Sequence, residues 1–189
     1  MLTITSDMIK RLREATSAGM GDCQKALKEA AETQTEEKAC MEAAVDILRK
    51  KGIAKAAKRL DRETTEGRIV AHVTDNHIVM FSITCETDFV AINENFGKFT
   101  QKILAQAVSA DAQTMEAFLA SPMEGNTVKE ILDIESGSLG ERLEIKHYIN
   151  IHTANKLKHY VHANNKIGVV LEYVGADEKF AKDLTMHIA

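Results

Sequence analysis

Ile78-Val79-Met80-Phe81-Ser82-Ile83-Thr84 runs directly into Cys85-Glu86-Thr87-Asp88-Phe89-Val90. A run this rich in β-branched and aromatic side chains predicts a strand. An acid, a large aromatic and a helix-like segment follow at once. Asp88 and Phe89 therefore stand where a strand gives way to a loop, a position from which side chains can project out of a rigid sheet. The residues alone favour a plainer arrangement, with Asp88 as a helix N-cap and Phe89 filling the core.

Around this stretch, 189 residues provide enough chain for a sizeable core, in one or two domains. Apolar residues make up 44% and charged residues 28%, the balance of a globular protein. No apolar run approaches the roughly 20 residues of a membrane-spanning helix. Met1 to Asp7 lacks the basic and apolar regions of a secretory signal, so a cytoplasmic location and no membrane partner are expected. The net charge of −4 creates no field that favours nucleic acid. The basic run from Arg49 to Arg59 is local and reads as a solvated helix face. Cys23, Cys40 and Cys85 are too far apart for a disulfide framework or a paired zinc motif. Neither His147 with His152 nor His159 with His162 has structural-zinc spacing, so no metal and no cofactor are expected.

Thr5-Ser6-Asp7 offers caps for a helix carrying Met8, Ile9 and Leu12, which Ser17-Ala18-Gly19 should break. A second helix is expected from near Asp22, acting as its cap, to about Ala31. A third, after Thr33-Gln34-Thr35, carries Met41, Ala44, Val45 and Leu48 and should stop at Gly52 in the left-handed position. Residues 1–54 thus form a small three-helix module, and 55–67 a basic helix and linker. The first half of a core should occupy 68–152 and an incomplete second half 153–189.

Within that core, Arg68 to Thr74 and His77 to Thr84 flank Asp75-Asn76, a two-residue hairpin connection. Phe96, Phe99, Ile103, Leu104 and Ala107 follow at helical spacing. Thr114 should cap a short helix ended by Ser121-Pro122, and Val128, Ile131, Leu132 and Leu139 mark another. Gly137 to Gly140 reads as a glycine-bounded loop. Alternation from Leu143 to Ile151 predicts a half-buried strand with His147 on its core side. A second hairpin runs from Lys156 to His162, turns at Ala163-Asn164-Asn165, and returns from Ile167 to Tyr173. It echoes the first, and Phe180-Ala181-Lys182-Asp183 echoes Phe96-Gly97-Lys98-Phe99, as in a partly duplicated hairpin–helix unit. The expected class is α+β: a helical bundle, then an antiparallel sheet with helices and a partial internal repeat. The last helix has no C-terminal stop signal, as in a naturally short or a truncated chain.

Catalytic signatures are scarce. No glycine-rich loop precedes Lys-Ser or Lys-Thr, and Gly-x-Ser-x-Gly and His-Glu-x-x-His are absent. Cys85 with a distant histidine has only generic support as a nucleophile pair.

Ala18-Gly19-Met20-Gly21-Asp22-Cys23-Gln24-Lys25-Ala26-Leu27 resembles the N-terminal signature of the bacterial elongation factor Ts family, and Cys85 to Ala91 resembles its second signature. Lys51 to Lys58 and Met186-His187-Ile188-Ala189 match in the same order, so the resemblance extends over essentially the whole chain. It implies a ubiquitin-associated-like three-helix domain joined to an α+β core of two related halves. It also implies guanine-nucleotide exchange on elongation factor Tu, in its GDP-bound and nucleotide-free forms, without enzyme chemistry.

Thr87, Asp88, Phe89 and Val90 match the family's loop that disturbs the partner's magnesium and phosphate sites. Other implied partner contacts are Met20 and Gln24 in the first signature, Arg59 where a lysine is usual, Leu139 and Gly140, and His162 in the second hairpin. Gln24 replaces a lysine, Lys146-His147 replace Arg-Arg, Ser17 replaces Gly and Gly21 replaces Met. Thr33 to Cys40 is longer than is typical, and the end at Ala189 removes most of the second half-core and the further modules of long forms. A homodimer is left open. From a different class, the basic helix over 49–59 could make the chain an RNA- or ribosome-binding module.

Overall fold

The computed structural model describes residues 2–16, 18–175 and 177–189; the expected break at Ser17 and its replacement of Gly lie outside them. In chain order the elements are α1 (Ser6–Thr16), α2 (Met20–Ala30), α3 (Glu37–Ala57), β1 (Glu66–Val73) and β2 (His77–Cys85). They continue with α4 (Asp88–Ala91), α5 (Glu94–Ala110), α6 (Met115–Ala120), β3 (Pro122–Met123) and β4 (Asn126–Thr127). The last are α7 (Val128–Leu139), β5 (Glu144–His152), β6 (Lys156–Val161), β7 (Gly168–Tyr173) and α8 (Glu178–Ile188). The class is mixed α+β. Two compact units divide the chain: Met1–Asp61 with Leu132–Arg142, and Arg62–Ile131 with Leu143–Ala189. Among the described residues no helix is long and apolar enough to cross a membrane.

The first unit is helical. Met8 and Leu12 of α1, Cys23 and Leu27 of α2, and Cys40 and Ala44 of α3 are buried together. They recur at turn-and-a-bit spacing, so each helix turns one apolar stripe to the others. The Thr5 hydroxyl accepts from the Met8 amide at 3.2 Å, as its capping residue type predicts. Asp22 is not the cap of α2. Gly19 occupies that position, and the Asp22 carboxylate instead accepts from Lys55 Nζ at 2.8 Å.

Gly52 does not end α3 either. It is buried inside the helix, which continues to Ala57 and so runs through 54 and 55. The expected glycine-bounded loop at 137–140 is also partly helical, with Gly137 inside α7 and only Gly140 in the left-handed conformation, at φ 82°. One contact explains both departures. A Cβ on Gly137 would lie 2.5 Å from Gly52 Cα, and one on Gly52 would lie 3.3 Å from Ile134 Cα. These glycines allow two helix backbones to touch; they do not break helices.

In the second unit, β2 is the middle strand of a sheet ordered β1-β2-β5, antiparallel throughout. Val73 pairs with Ile78, leaving the expected tight connection at Asp75-Asn76. Ile78, Val79, Met80, Phe81 and Ile83 are all buried, so both faces of β2 are covered. On one face Phe81 packs near Phe118 of α6 and Tyr148 of β5, with ring centroids 5.9 and 6.3 Å away. On the other, Met80 approaches Gly168 of β7, where a Cβ would lie 3.1 Å from its sulfur. The β6–β7 hairpin reaches β1 through the Ile69 amide, which donates to the Asn165 carbonyl at 2.7 Å.

The alternation expected along β5 fails at His147. Met80 pairs with Ile149 but Ser82 pairs with Lys146, so Phe81 faces both His147 and Tyr148. This is a β-bulge, with His147 at φ 53°. The extra residue reverses the side-chain phase, turning His147 out to solvent and Tyr148 toward Phe81. The second hairpin is also shorter than expected, with Val161 paired to Gly168 and the turn reaching from His162 to Ile167.

Gly137→Ala should lower the urea-unfolding stability by about 1–3 kcal/mol, because its methyl meets backbone that cannot turn aside. Gly21→Ala, where a Cβ meets nothing within 4 Å, should leave stability unchanged or raise it by up to about 1 kcal/mol.

The Asp22 carboxyl is held below its ordinary value of 3.8, first by the hydrogen bond from Lys55. A depressed folded pKa contributes stability that is present above 3.8 and disappears as pH falls through the depressed value. The two side chains are 43% and 44% exposed, and solvent screening keeps the contribution below about 1 kcal/mol. Asp22→Asn should therefore be slightly less stable than the parent at neutral pH, with the gap closing in acid; urea midpoints across pH measure this.

Candidate functional site

The Cys85–Val90 stretch leaves the buried end of β2 and turns within two residues into α4. Cys85 is fully buried, and its thiol donates to the Thr87 carbonyl at 3.2 Å. That placement argues against a reactive nucleophile and for an anchor at the root of the loop. Thr87, not Asp88, is the N-cap: its hydroxyl accepts from the Val90 amide at 3.4 Å. Ala91 is buried under the far end of the turn. A four-residue helix cannot sustain itself, so this cap and this buried methyl hold its shape.

The side chains between those two fixed points face water. Phe89 is 78% exposed, which overturns the core-filling alternative. The Asp88 carboxylate is exposed and enters no ion pair among the described residues. Thr87 and Val90 are half-buried. Ile92, one turn after Phe89, is also 78% exposed and extends the apolar surface. Sequence reading missed it. The available signal was an isoleucine three residues after an aromatic, just before Asn93, whose side chain caps α5 at 2.8 Å from the Asn95 amide.

His162 belongs to the same unit. It is exposed at the end of β6, with Nδ1 2.8 Å from the Tyr160 hydroxyl. A groove is lined by Arg68 to Ala71 of β1, by Ile92 and Gly97, and by His159, Val161 and Asn165. Ile92, just after the Thr87–Val90 turn, and the second hairpin thus border one groove, while Thr87 to Val90 and His162 are not among its lining residues.

The remaining candidates lie in the first unit. Met20, 62% exposed, and Gln24 stand one helical turn apart on α2, beside a shallow groove with Ile9 and Arg13. Arg59 is half-buried, and its guanidinium donates to the Ser136 carbonyl at 3.2 Å near the end of α7. That carbonyl, in the last turn of α7, accepts a second bond as well. Leu139 closes α7 and Gly140 follows it in the left-handed position, its amide donating to the same Ser136 carbonyl at 3.0 Å. Arg59, Leu139 and Gly140 thus gather at one helix terminus, and Met20 with Gln24 at one helix face.

Because Phe89 and Asp88 contribute nothing to the core, Phe89→Ala and Asp88→Asn should each change unfolding stability by less than about 0.5 kcal/mol. Phe81→Ala, which empties a fully buried position, should cost about 3–5 kcal/mol in the same denaturation measurement.

Comparison with known proteins bears on the whole chain. The family model described as Elongation factor TS matches residues 86–189. A protein named elongation factor Ts from Rhodopirellula baltica is 41% identical over 193 residues, covering 100% of this chain and 57% of its own length. One of the same name from Thioalkalivibrio sulfidiphilus is 39% identical, covering 100% and 63%. Another, from Deinococcus deserti, is 39% identical, covering 97% and 66%. The chain thus spans roughly three fifths of the length of these relatives. The family-model match takes in the Thr87–Val90 loop, the second hairpin and α8, and together with relatives 39–41% identical over 97–100% of the chain it places the protein in the elongation factor Ts family.

Proposed function

We propose that this chain is a guanine-nucleotide exchange factor for elongation factor Tu, working in the cytoplasm and performing no covalent chemistry of its own. One observation carries the reading: an aromatic side chain, Phe89, stands 78% exposed on a turn clamped to the buried end of a central strand. A large exposed apolar group on a rigid mount has the properties of an interface anchor. Family membership supplies the partner.

An exchange factor is a ligand for the nucleotide-free state of its target. It promotes GDP release only by binding that state more tightly than the GDP-bound one, and GDP must then weaken its binding by the same factor. In this reading Phe89 fills a pocket that opens when the partner's helices shift. Asp88 makes polar contacts beside it and helps disturb the region that holds magnesium. Mg²⁺ bridges phosphate oxygens and neutralises their charge, so its loss weakens GDP binding directly. Thr87 and Val90 hold the turn in shape. His162 reaches toward the nucleotide side from the second hairpin, and Met20, Gln24, Arg59, Leu139 and Gly140 form further contacts from the first unit.

The three helices α1–α3 correspond in this reading to a ubiquitin-associated-like domain. The two hairpin–helix units, β1–β2 with α5 and β6–β7 with α8, correspond to a duplicated half-core. Self-association into a homodimer is compatible with exchange and is not needed for it. The basic run over 49–59 gives the competing RNA- or ribosome-binding reading less support. In the structure Lys51 is paired with Glu29, Lys55 with Asp22, and Arg59 with the Ser136 carbonyl.

The deciding measurement is the release of fluorescently labelled GDP from purified elongation factor Tu with no RNA present. The full chain should accelerate release, and Phe89→Ala should lower that acceleration about tenfold or more, as loss of an aromatic anchor does. Equal acceleration by the parent and Phe89→Ala would refute the assigned loop. No acceleration by the parent would refute the exchange reading for this chain.

A further inference from the structure

Three donors from distant parts of the second unit converge at the end of the sheet opposite the Thr87–Val90 loop. His77 opens β2 and His152 closes β5, and the two are direct partners across the strands. The Thr153 amide donates to the Asn76 carbonyl at 3.0 Å, just outside the pair. The pair is therefore of the non-hydrogen-bonded kind, in which antiparallel side chains stand closest. The imidazole rings stack with centroids 3.9 Å apart. The third donor, Asp111, arrives at the C-terminus of α5 in the left-handed conformation, φ 47°, its amide donating to the Ala107 carbonyl. That backbone reversal carries its carboxylate to the histidines. Asp111 Oδ1 lies 2.7 Å from His152 Nε2 and 3.8 Å from His77 Nε2.

We infer that His77, His152 and Asp111 form a binding site for a single divalent transition-metal ion of the zinc type. One donor atom from each lies within 4.8 Å of those of the other two. Two imidazoles and a carboxylate are a donor set suited to Zn²⁺ or Co²⁺, with the fourth tetrahedral position left to water. Ca²⁺ and Mg²⁺, which prefer all-oxygen surroundings, fit it poorly. The surrounding groups orient the ligands. Asn150 Nδ2 donates to Asp111 Oδ1 at 2.9 Å and to the Ala112 carbonyl at 3.0 Å, and the Tyr148 hydroxyl donates to that same carbonyl at 2.8 Å. These bonds fasten the Asp111 loop to β5, as the outer shell of a metal site does.

Coordination needs one local adjustment. Parallel rings send their nitrogen lone pairs side by side, so one ring must turn. His152 is 49% exposed and free to do so, whereas His77, 14% exposed, stays fixed. His77 Nε2 lies 2.9 Å from Asn150 Oδ1 and His152 Nε2 2.7 Å from Asp111 Oδ1; on coordination both rings carry their proton on Nδ1, and the metal takes the place of the proton between each Nε2 and its acceptor. The ion would join the two ends of β2 and β5 to the helix that packs on them. This site is independent of the proposed exchange activity.

The test is equilibrium dialysis of the full chain against zinc chloride at neutral pH, with the visible absorption of bound Co²⁺ as a second readout. The parent should bind one equivalent, and Co²⁺ should give the intense visible bands of a tetrahedral ion. His152→Ala and Asp111→Asn should each weaken binding about tenfold to a hundredfold, and Asn150→Ala about tenfold. His147→Gln, which removes an exposed histidine from the same strand, should change nothing. Circular dichroism checks that each variant is folded, and the exposed His152 and Asp111 positions make that outcome the expected one. Absence of stoichiometric binding by the parent, or binding by folded His152→Ala equal to the parent's, would overturn the site.

Discussion

β2 is hydrogen-bonded along both edges and covered on both faces, and the second unit is built on that strand. Its one exposed consequence is the turn at its end. A strand buried on all sides cannot tilt or slide without breaking two ladders and repacking Phe81 among Phe118 and Tyr148. The residues immediately after it therefore leave from a fixed point in a fixed direction. Cys85 seals that exit from within, and the Thr87 cap and the Ala91 methyl determine the next turn. The chain holds an exposed phenylalanine in place by spending its packing on the neighbours of that residue and none on the residue itself.

The helical unit depends on a different constraint, closeness of approach. Gly52 and Gly137 stand on two helices whose backbones meet where any side chain would push them apart. The contact explains why α3 is 21 residues long and continues past its glycine. It also places the end of α7 where Arg59 can reach the Ser136 carbonyl. The interaction that permits close packing thus also immobilises a cation that would otherwise be available to a phosphate backbone.

These two constraints show what could be read from the chain before its structure. Regular patterns survived. The stripe of Met8 and Leu12, the Asp75-Asn76 turn, the Thr114 cap and the apolar run of β2 follow from local spacing and local chemistry, and each appears as its residues predict. Glycine was misread twice, because a glycine that ends a helix and one that lets two helices touch look the same in sequence; a distant partner decides between them. The bulge at His147 was invisible for a related reason. Unbroken alternation and alternation with one added residue differ only in what faces them across the sheet. Asp88 and Phe89 had two defensible placements, and residue type alone favoured the one the structure does not adopt, since burial preference is an average over many chains. The grouping of His77, Asp111 and His152 required strand register and a left-handed residue together, and neither is legible in the spacing of histidines.

The bulge in β5 has a consequence for how the molecule behaves in company. β5 is the outer strand of its sheet, and an outer strand presents a row of amides and carbonyls to which a second chain can add itself. A straight, alternating β5 with Ile145, Ile149 and Ile151 would be a good template for such growth. At His147 the backbone turns to positive φ, the strand bulges, and the exposed histidine interrupts the row of isoleucines. A flat partner strand would meet that kink after only three or four residues of pairing. The irregularity that spoils the pattern in the sequence thus acts against strand addition at this edge of the sheet.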